Sequence, residues 1–362
     1  MIFLLKYLNN RKAVTMYLAI KEIKHEKLRY GMIIAMIALI SWLIFILTGL
    51  AQGLGSQNTA AIDSWNFKSI ALNEDADINL RQSLITSEQI SALHLTKKEA
   101  LLGQAPVVAK HKKMKNTSAN FIGLEKNSFI AKDIKNFPTK SGDVLLDDSF
   151  KQSGLKKGSK IKLNSEGKTF TVIGFVDDAK INISPVIYGT LSDWQELRNV
   201  PKSFKASAVA SQKKDFEATD LSTYSKQKLI DNLPGYEAQN ATFGLMIGFL
   251  MVISLIIMGV FQYIITIQKL ANFAVLRAQG IPSSFLVKNT ISQAFLLGVI
   301  GLVIGTLLTF ICSLAIPSSV PLKFEPLAML LVGFFLLIAA ILGSLVPIRT
   351  ILKVDPANAI GG

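Results

Sequence analysis

Three histidines and one cysteine in 362 residues offer little material for catalysis. His25, His94 and His111 are scattered, and no paired His or Cys spacing of the zinc-binding kind occurs, so no metal site is expected. Asp147-Asp148 and Asp177-Asp178 are adjacent carboxylates that read as strand ends or turns rather than as an acid–base pair. No Gly-x-Ser-x-Gly elbow is present. The phosphate cradle Gly-x-x-x-x-Gly-Lys-Ser/Thr is missing too. Its nearest string, Gly154-Leu-Lys-Lys-Gly158-Ser-Lys160, has the wrong spacing. The chain is therefore expected to be no enzyme by itself. If ATP drives it, a separate subunit binds the ATP and its Mg.

The elements that dominate the chain are apolar. Gly31–Gly53, Thr242–Ile267, Ser292–Ala315 and Pro326–Ile348 contain no Asp, Glu, Lys or Arg. Each is long enough to cross a hydrocarbon core, which takes about 20 residues. The net charge of +14 is distributed around them. Lys6, Arg11, Lys12, Lys21, Lys24, Lys27 and Arg29 precede the first span; Lys269, Arg277 and Lys288 lie between the second and third; Arg349 and Lys353 follow the fourth. The loop between spans three and four holds Lys323, offset by Glu325. By the positive-inside rule both termini are cytoplasmic. The expected order is a cytoplasmic segment 1–30, span 31–53, an extracytoplasmic domain 54–241, span 242–267, a cytoplasmic coupling segment 268–291, span 292–315, an outer loop 316–325, span 326–348 and a cytoplasmic tail 349–362. Topology accounts for the basic balance, and no nucleic-acid partner is expected. Cys312 lies inside span three, so the outer domain folds without an intrachain disulfide, compatible with a Gram-positive exterior.

The expected fold class is an α-helical membrane protein with four transmembrane helices plus one α+β extracytoplasmic domain between helices 1 and 2. Met16, Ile20, Ile23 and Tyr30 stand at helical spacing among Lys21, Glu22, Lys24 and Glu26, which predicts an amphipathic helix along the inner membrane surface. Met1–Arg11 reads as an upstream extension, with Met16 as an alternative start. In the outer domain, Trp65–Leu72, Pro106–Ala109, Asp143–Leu146, Ile161–Leu163, Thr169–Val176 and Val186–Tyr188 read as strands. Asn164-Ser-Glu-Gly167 joins two of them as a hairpin turn. Thr86-Ser-Glu-Gln89 matches a capping box. Ser192–Leu197, capped by Ser192, and Ser222–Leu233 read as helices.

Without ionisable groups in the spans, proton- or ion-coupled transport is not expected. Small residues recur instead, at Gly244 and Gly248 in span two and at Gly298, Gly301 and Gly305 in span three. Such spacing permits close helix approach, within the chain or between two copies. Span two continues into an amphipathic helix ended by Gly280, and Pro282 marks the turn before span three.

At these residues the chain resembles the MacB/FtsX-type ABC permease family. That family commonly reads Glu-x-x-x-Leu-Arg-Ala-x-Gly between spans two and three, and here Leu276-Arg277-Ala278-Gln-Gly280 fits. Its closing Asp-Pro-Ala-x-Ala is present as Asp355-Pro356-Ala357-Asn358-Ala359. Gly154–Leu163 followed by Phe170–Gly174 also matches, whereas Asn272-Phe273 stands where the family commonly carries an acidic residue. The texture around Leu18–Gly31 and Ala51–Gly55 is most similar to the haem-exporting permeases of the family. The resemblance implies a plasma-membrane homodimer with two cytoplasmic ABC ATPases, gripped through Asn272, Phe273, Leu276, Arg277, Ala278 and Gly280. It implies a flat amphiphilic substrate such as haem, entering laterally from membrane lipid between spans one and two. Gln52, Gln57, Tyr236, Glu237, Asn240 and Met246 are then the candidate substrate contacts. A Tyr, Glu or Met can ligate iron, and Tyr236 equally suits an interfacial anchor. The alternatives are an FtsX-like transmitter acting on an extracellular cell-wall hydrolase, and an antimicrobial-peptide permease.

Overall fold

The computed structural model describes residues 19–111, 114–164, 168–317 and 320–353. The closing Asp355–Ala359 motif, Met1–Arg11, Met16 and the turn 165–167 lie outside them. The chain divides into two units, residues 54–240 and residues 1–53 with 241–362.

The strands of the first unit are β1 (Ser69–Leu72), β2 (Ile85–Thr86), β3 (Glu99–His111), β4 (Met114–Leu124), β5 (Asp143–Asp147), β6 (Lys160–Leu163), β7 (Thr169–Val176), β8 (Lys180–Ile181), β9 (Ser184–Thr190), β10 (Phe204–Ala206), β11 (Ala208–Ser211) and β12 (Ser222–Ser225). Ten of them form one large sheet in the order β12-β1-β11-β3-β4-β9-β5-β7-β6, with β8 paired beside β9 and β6 also paired back to β3 through Ala109↔Leu163, while β2 and β10 pair separately. That last pairing closes β3-β4-β9-β5-β7-β6 into a six-stranded ring. The pairs β4–β9 and β5–β7 are parallel, and the other pairs of the ring antiparallel.

Period-2 alternation explains why the ring is filled. Ala105, Val107 and Ala109 of β3 point into one apolar cluster with Phe121, Leu146, Ile161, Phe170 and Ile187, while Ala100 and Leu102 point to the other face, with Ile70, Leu72 and Tyr188. A strand buried on both faces reads as a continuous apolar run, and Ala100-Leu101-Leu102-Gly103 is such a run. Trp194, wholly buried, joins the ring's cluster from the helix Leu191–Arg198. Gly103 and Gly123 make room for it, because a Cβ there would lie 2.3 Å and 2.6 Å from its side chain.

One residue before Trp194, Asp193 is also wholly buried. It accepts from Ser141 Oγ (2.6 Å), Thr190 Oγ1 (2.6 Å), Gly142 N (3.1 Å) and Lys168 Nζ (3.1 Å). Burial opposes the charge, but the bonds from Ser141, Thr190, Gly142 and Lys168 outweigh it and hold the carboxyl below its ordinary pKa.

Three local expectations can be checked directly. The capping box is present, with Thr86 N–H donating to Gln89 Oε1 (3.0 Å) and Gln89 N–H to Thr86 Oγ1 (3.3 Å). The helix at 191–198 is capped by Thr190, not Ser192: the Asp193 N–H donates to Thr190 Oγ1 at 3.2 Å. Ser222–Ser225 is a strand rather than the start of a helix, because β1 lies alongside it and takes its backbone groups, pairing Ser69↔Ser225 and Leu72↔Ser222. The helix begins at Lys226, capped by Ser225.

In the second unit, four helices are long and apolar enough to cross a membrane among the described residues: Lys27–Ser64, Tyr236–Gln268, Ser283–Ala315 and Pro326–Leu352, here spans 1 to 4. Spans 1 and 2 run on into the other unit's residue range. The protein is thus a four-helix membrane protein with a sheet-rich α/β domain between its first and second helices. Span 1 crosses span 3 closely. A Cβ at Gly301 would lie 2.5 Å from Ile37 Cγ2, and one at Gly305 2.0 Å from Ser41 Oγ. Gly298 faces Leu337 and Ala340 of span 4. These three glycines therefore serve packing within the chain. Gly244 and Gly248 meet nothing within 4 Å.

Candidate functional site

The segment after span 2 is a helix, Leu270–Ala278. It ends because Gly280 takes a left-handed conformation (φ +86°), which costs glycine little. The Ile281 N–H donates to Leu276 O (3.1 Å) and the Gly280 N–H to Arg277 O (2.9 Å), which satisfies two terminal carbonyls in a Schellman closure. Phe273 is buried in a small apolar cluster with Leu286 and Ile351, and Leu276, Ile281 and Phe285 pack around it. The six expected coupling residues therefore divide. Phe273 and Leu276 hold the helix to span 3 and to Ile348–Leu352; Asn272, Ala278 and Gly280 are exposed; Arg277 is half-buried. Val275, not singled out by the sequence, is half exposed.

At the start of this helix lies a polar cluster that sequence reasoning missed. Lys269 Nζ donates to Glu22 Oε2 (2.8 Å) and to Tyr30 Oη (2.7 Å), and it stands 5.3 Å from the centre of the Tyr30 ring. Tyr30 donates to Gln293 Oε1 (3.3 Å), and Gln293 Nε2 donates to Glu22. Lys269, Gln293 and Tyr30 are all buried. Burial opposes the ammonium charge, but the Glu22 and Tyr30 bonds keep the Lys269 pKa above its ordinary value. The cluster draws on the helical residues 19–25, span 1, the residue that follows span 2, and span 3. Its signal in the sequence is Gln262, Thr266 and Lys269, a polar stripe at i, i+4 and i+7 on an otherwise apolar helix. Asn289 and Gln293 repeat it at i, i+4 on span 3.

The six expected substrate contacts fall in both units. Gln52 accepts from the Glu325 N–H (3.1 Å), and the Lys323 N–H donates to Gly49 O (3.1 Å), which ties the loop before span 4 to span 1. Met246 lies exposed on span 2. In the other unit, the Gln57 carbonyl accepts from the Ile183 N–H (3.2 Å), and Tyr236 packs half-buried against the sheet's core. Glu237 and Asn240 are exposed. Among the described residues no side-chain hydrogen bond joins any two of the six. The pair that does form nearby is Asn58 Nδ2 to Gln239 Oε1, at 3.3 Å.

Residues 244–356 match the model of the FtsX-like permease C-terminal domain. The chain carries an FtsX-like permease domain. The chain is 23% identical over 358 residues to a Staphylococcus epidermidis protein provisionally named hemin transport system permease protein HrtB, covering 96% of this chain and 99% of that one. The corresponding Staphylococcus haemolyticus protein is 23% identical over 354 residues, with the same coverage. An uncharacterised ABC transporter permease of Mycobacterium tuberculosis is 25% identical over 113 residues, 31% of this chain and 32% of its own. Among solved structures, the periplasmic region of MacB from Actinobacillus actinomycetemcomitans aligns with a TM-score of 0.33 and 16% identity, over 47% of this chain and 96% of that one.

Proposed function

We propose that this permease is the membrane subunit of an ATP-driven ABC efflux pump that removes haem, or a similar flat hydrophobic compound, from the lipid bilayer. Near-full-length similarity to the staphylococcal permeases carries the reading, since their provisional names say hemin transport. In the assembly, two copies of the permease join two cytoplasmic ATPase subunits that hold ATP and Mg. The exposed side of Leu270–Ala278 contacts the ATPase, while Phe273 and Leu276 fix that helix to the permease. Both termini are cytoplasmic and the sheet-rich domain lies outside the plasma membrane, as the Lys and Arg distribution favours. Substrate leaves the bilayer beside spans 1 and 2, near Gln52, Gln57, Tyr236, Glu237, Asn240 and Met246. Charge-free spans suit a lipid-soluble cargo.

The test is to purify the permease with its ATPase, record the visible spectrum and measure ATP hydrolysis with added haem. A Soret band and haem-stimulated hydrolysis are expected. A colourless complex indifferent to haem would overturn the haem assignment and favour an FtsX-like transmitter, checked by capture of a cell-wall hydrolase. Growth of a deletion strain on haem gives the second reading, with hypersensitivity expected.

A further inference from the structure

Glu22, Tyr30, Lys269 and Gln293 form a closed set of hydrogen bonds at the residue where span 2 turns into Leu270–Ala278, with Tyr30, Lys269 and Gln293 buried and Glu22 half-buried. A buried ion pair is weak evidence of stability. Desolvation offsets most of the attraction, and replacing both partners with apolar groups is often neutral. Something other than stability is needed to account for a charged pair at this place. The neighbouring polar groups point the same way. Gln262 Nε2, about two turns from Lys269 into span 2, and Asn289 Oδ1, about one turn from Gln293 towards the start of span 3, are buried without a hydrogen-bond partner. An unpartnered buried polar group costs about 1–3 kcal/mol. A polar cluster satisfied at its centre and flanked on either side by an unsatisfied buried group fits an interface with a second arrangement.

We propose that the Glu22–Lys269–Tyr30–Gln293 cluster is a latch with two states, through which displacement of the coupling helix reaches span 1. It is closed in the arrangement described here. Movement of Leu270–Ala278 carries Lys269 with it, because Lys269 is the residue from which that helix starts. Glu22 belongs to the segment that leads into span 1 and Tyr30 to the first turn of span 1 itself, so parting the latch frees span 1 from spans 2 and 3 at this end. Glu22 and Lys269 are positioning residues in this scheme; neither touches ATP or cargo. The inference rests on the reading that an ATPase grips the coupling helix.

The test uses the full permease–ATPase complex in lipid vesicles. Glu22→Gln and Lys269→Met each leave one charge unpaired, whereas the double variant leaves none. The latch predicts that the double variant melts near the wild-type temperature yet keeps only about a tenth of the haem-stimulated increment in hydrolysis, a factor equivalent to about 1.4 kcal/mol. If stability and stimulation return together, the pair is structural filler and the proposal falls. A second measurement leaves Glu22 and Lys269 in place. Spin labels at His25 and Gln268, both exposed, in a Cys312→Ser background report the separation of the two segments. Their distance distribution is expected to shift between the nucleotide-free and vanadate-trapped complexes, and to stay fixed in the double variant. Identical distributions in both wild-type states overturn the latch. Failure of the permease to bind or stimulate any ATPase defeats the underlying reading instead, and the latch with it.

Discussion

Spans 1 and 2 flank the same sheet-rich domain in sequence, yet their surroundings differ sharply. In its most apolar stretch span 1 is 39% buried and span 2 only 17%. Span 1 is wedged against Gly301 and Gly305 of span 3, and the loop before span 4 is bonded back to it at Gly49 and Gln52. Span 2 meets Gly343 of span 4 closely at Gly259 and packs Met258 and Ile265 against Tyr30, Ile33 and Leu297, but over the rest of its length it turns Leu245, Phe249, Ile256 and Val260 outward. Within a bilayer there is little hydrophobic drive for helices to associate, so small residues that allow close approach decide what packs on what. Identical residue types thus have different consequences. Gly301 and Gly305 are filled by a neighbour in the same chain, and Gly244 and Gly248 are open to lipid or to a second molecule.

This contrast can be broken or sharpened by substitution. Gly305→Leu drives a side chain into Ser41 and the Ala38 carbonyl, and should cost more than about 3 kcal/mol. The expected readout is loss of the monodisperse peak after mild heating of the detergent-extracted protein. Gly343→Leu strikes the backbone at Met258 and Gly259, but span 2 has open space to move into, so about 1–3 kcal/mol is expected in the same assay.

Acid separates the membrane-crossing stretches from the domain between them, because residues 31–53, 242–267, 292–315 and 326–348 contain no carboxylate. Asp193 has a depressed folded pKa, so its charge contributes stability above the ordinary carboxylate range, and that contribution is lost as pH falls through the folded value. Asp193→Asn should therefore lower stability by about 1.5 kcal/mol at neutral pH. The melting-temperature gap to wild type should close towards acid. A gap independent of pH would show that the Asp193 charge is not what matters. Gly248→Leu should change the chain's own stability by less than about 0.5 kcal/mol. A loss like that of Gly305→Leu would erase the distinction between the two spans.

The four spans were legible because a long apolar run without charges is a property of one segment alone. The coupling helix was legible for the same reason, with Gly280 marking its end. What could not be read depends on partners distant in sequence. Ser222–Ser225 has the look of a helix start until β1 lies beside it. The closure of the ring needs Leu163 to meet Ala109, and no local pattern encodes that meeting. The latch draws one residue each from four separated stretches, and Glu22 was hidden among the lysines that mark topology. Phe273 was expected on the coupling surface because of its place in a motif, and its burial follows from the neighbouring Leu286 and Ile351.

The pairing of β1 with β12 also has a mechanical meaning. The chain enters the sheet at Ser69 and leaves it at Ser225, and these two residues face each other. Tension that draws entry and exit apart would open this pair like a zipper, one bond at a time, whereas the closed ring beyond it has no end strand to peel. Lys226 clips the mouth of the zipper, its ammonium donating to the carbonyls of Asp63 (3.0 Å) and Trp65 (3.2 Å). The first element to yield under a spreading load is thereby set by register and a single lysine, while the barrel behind it keeps its shape.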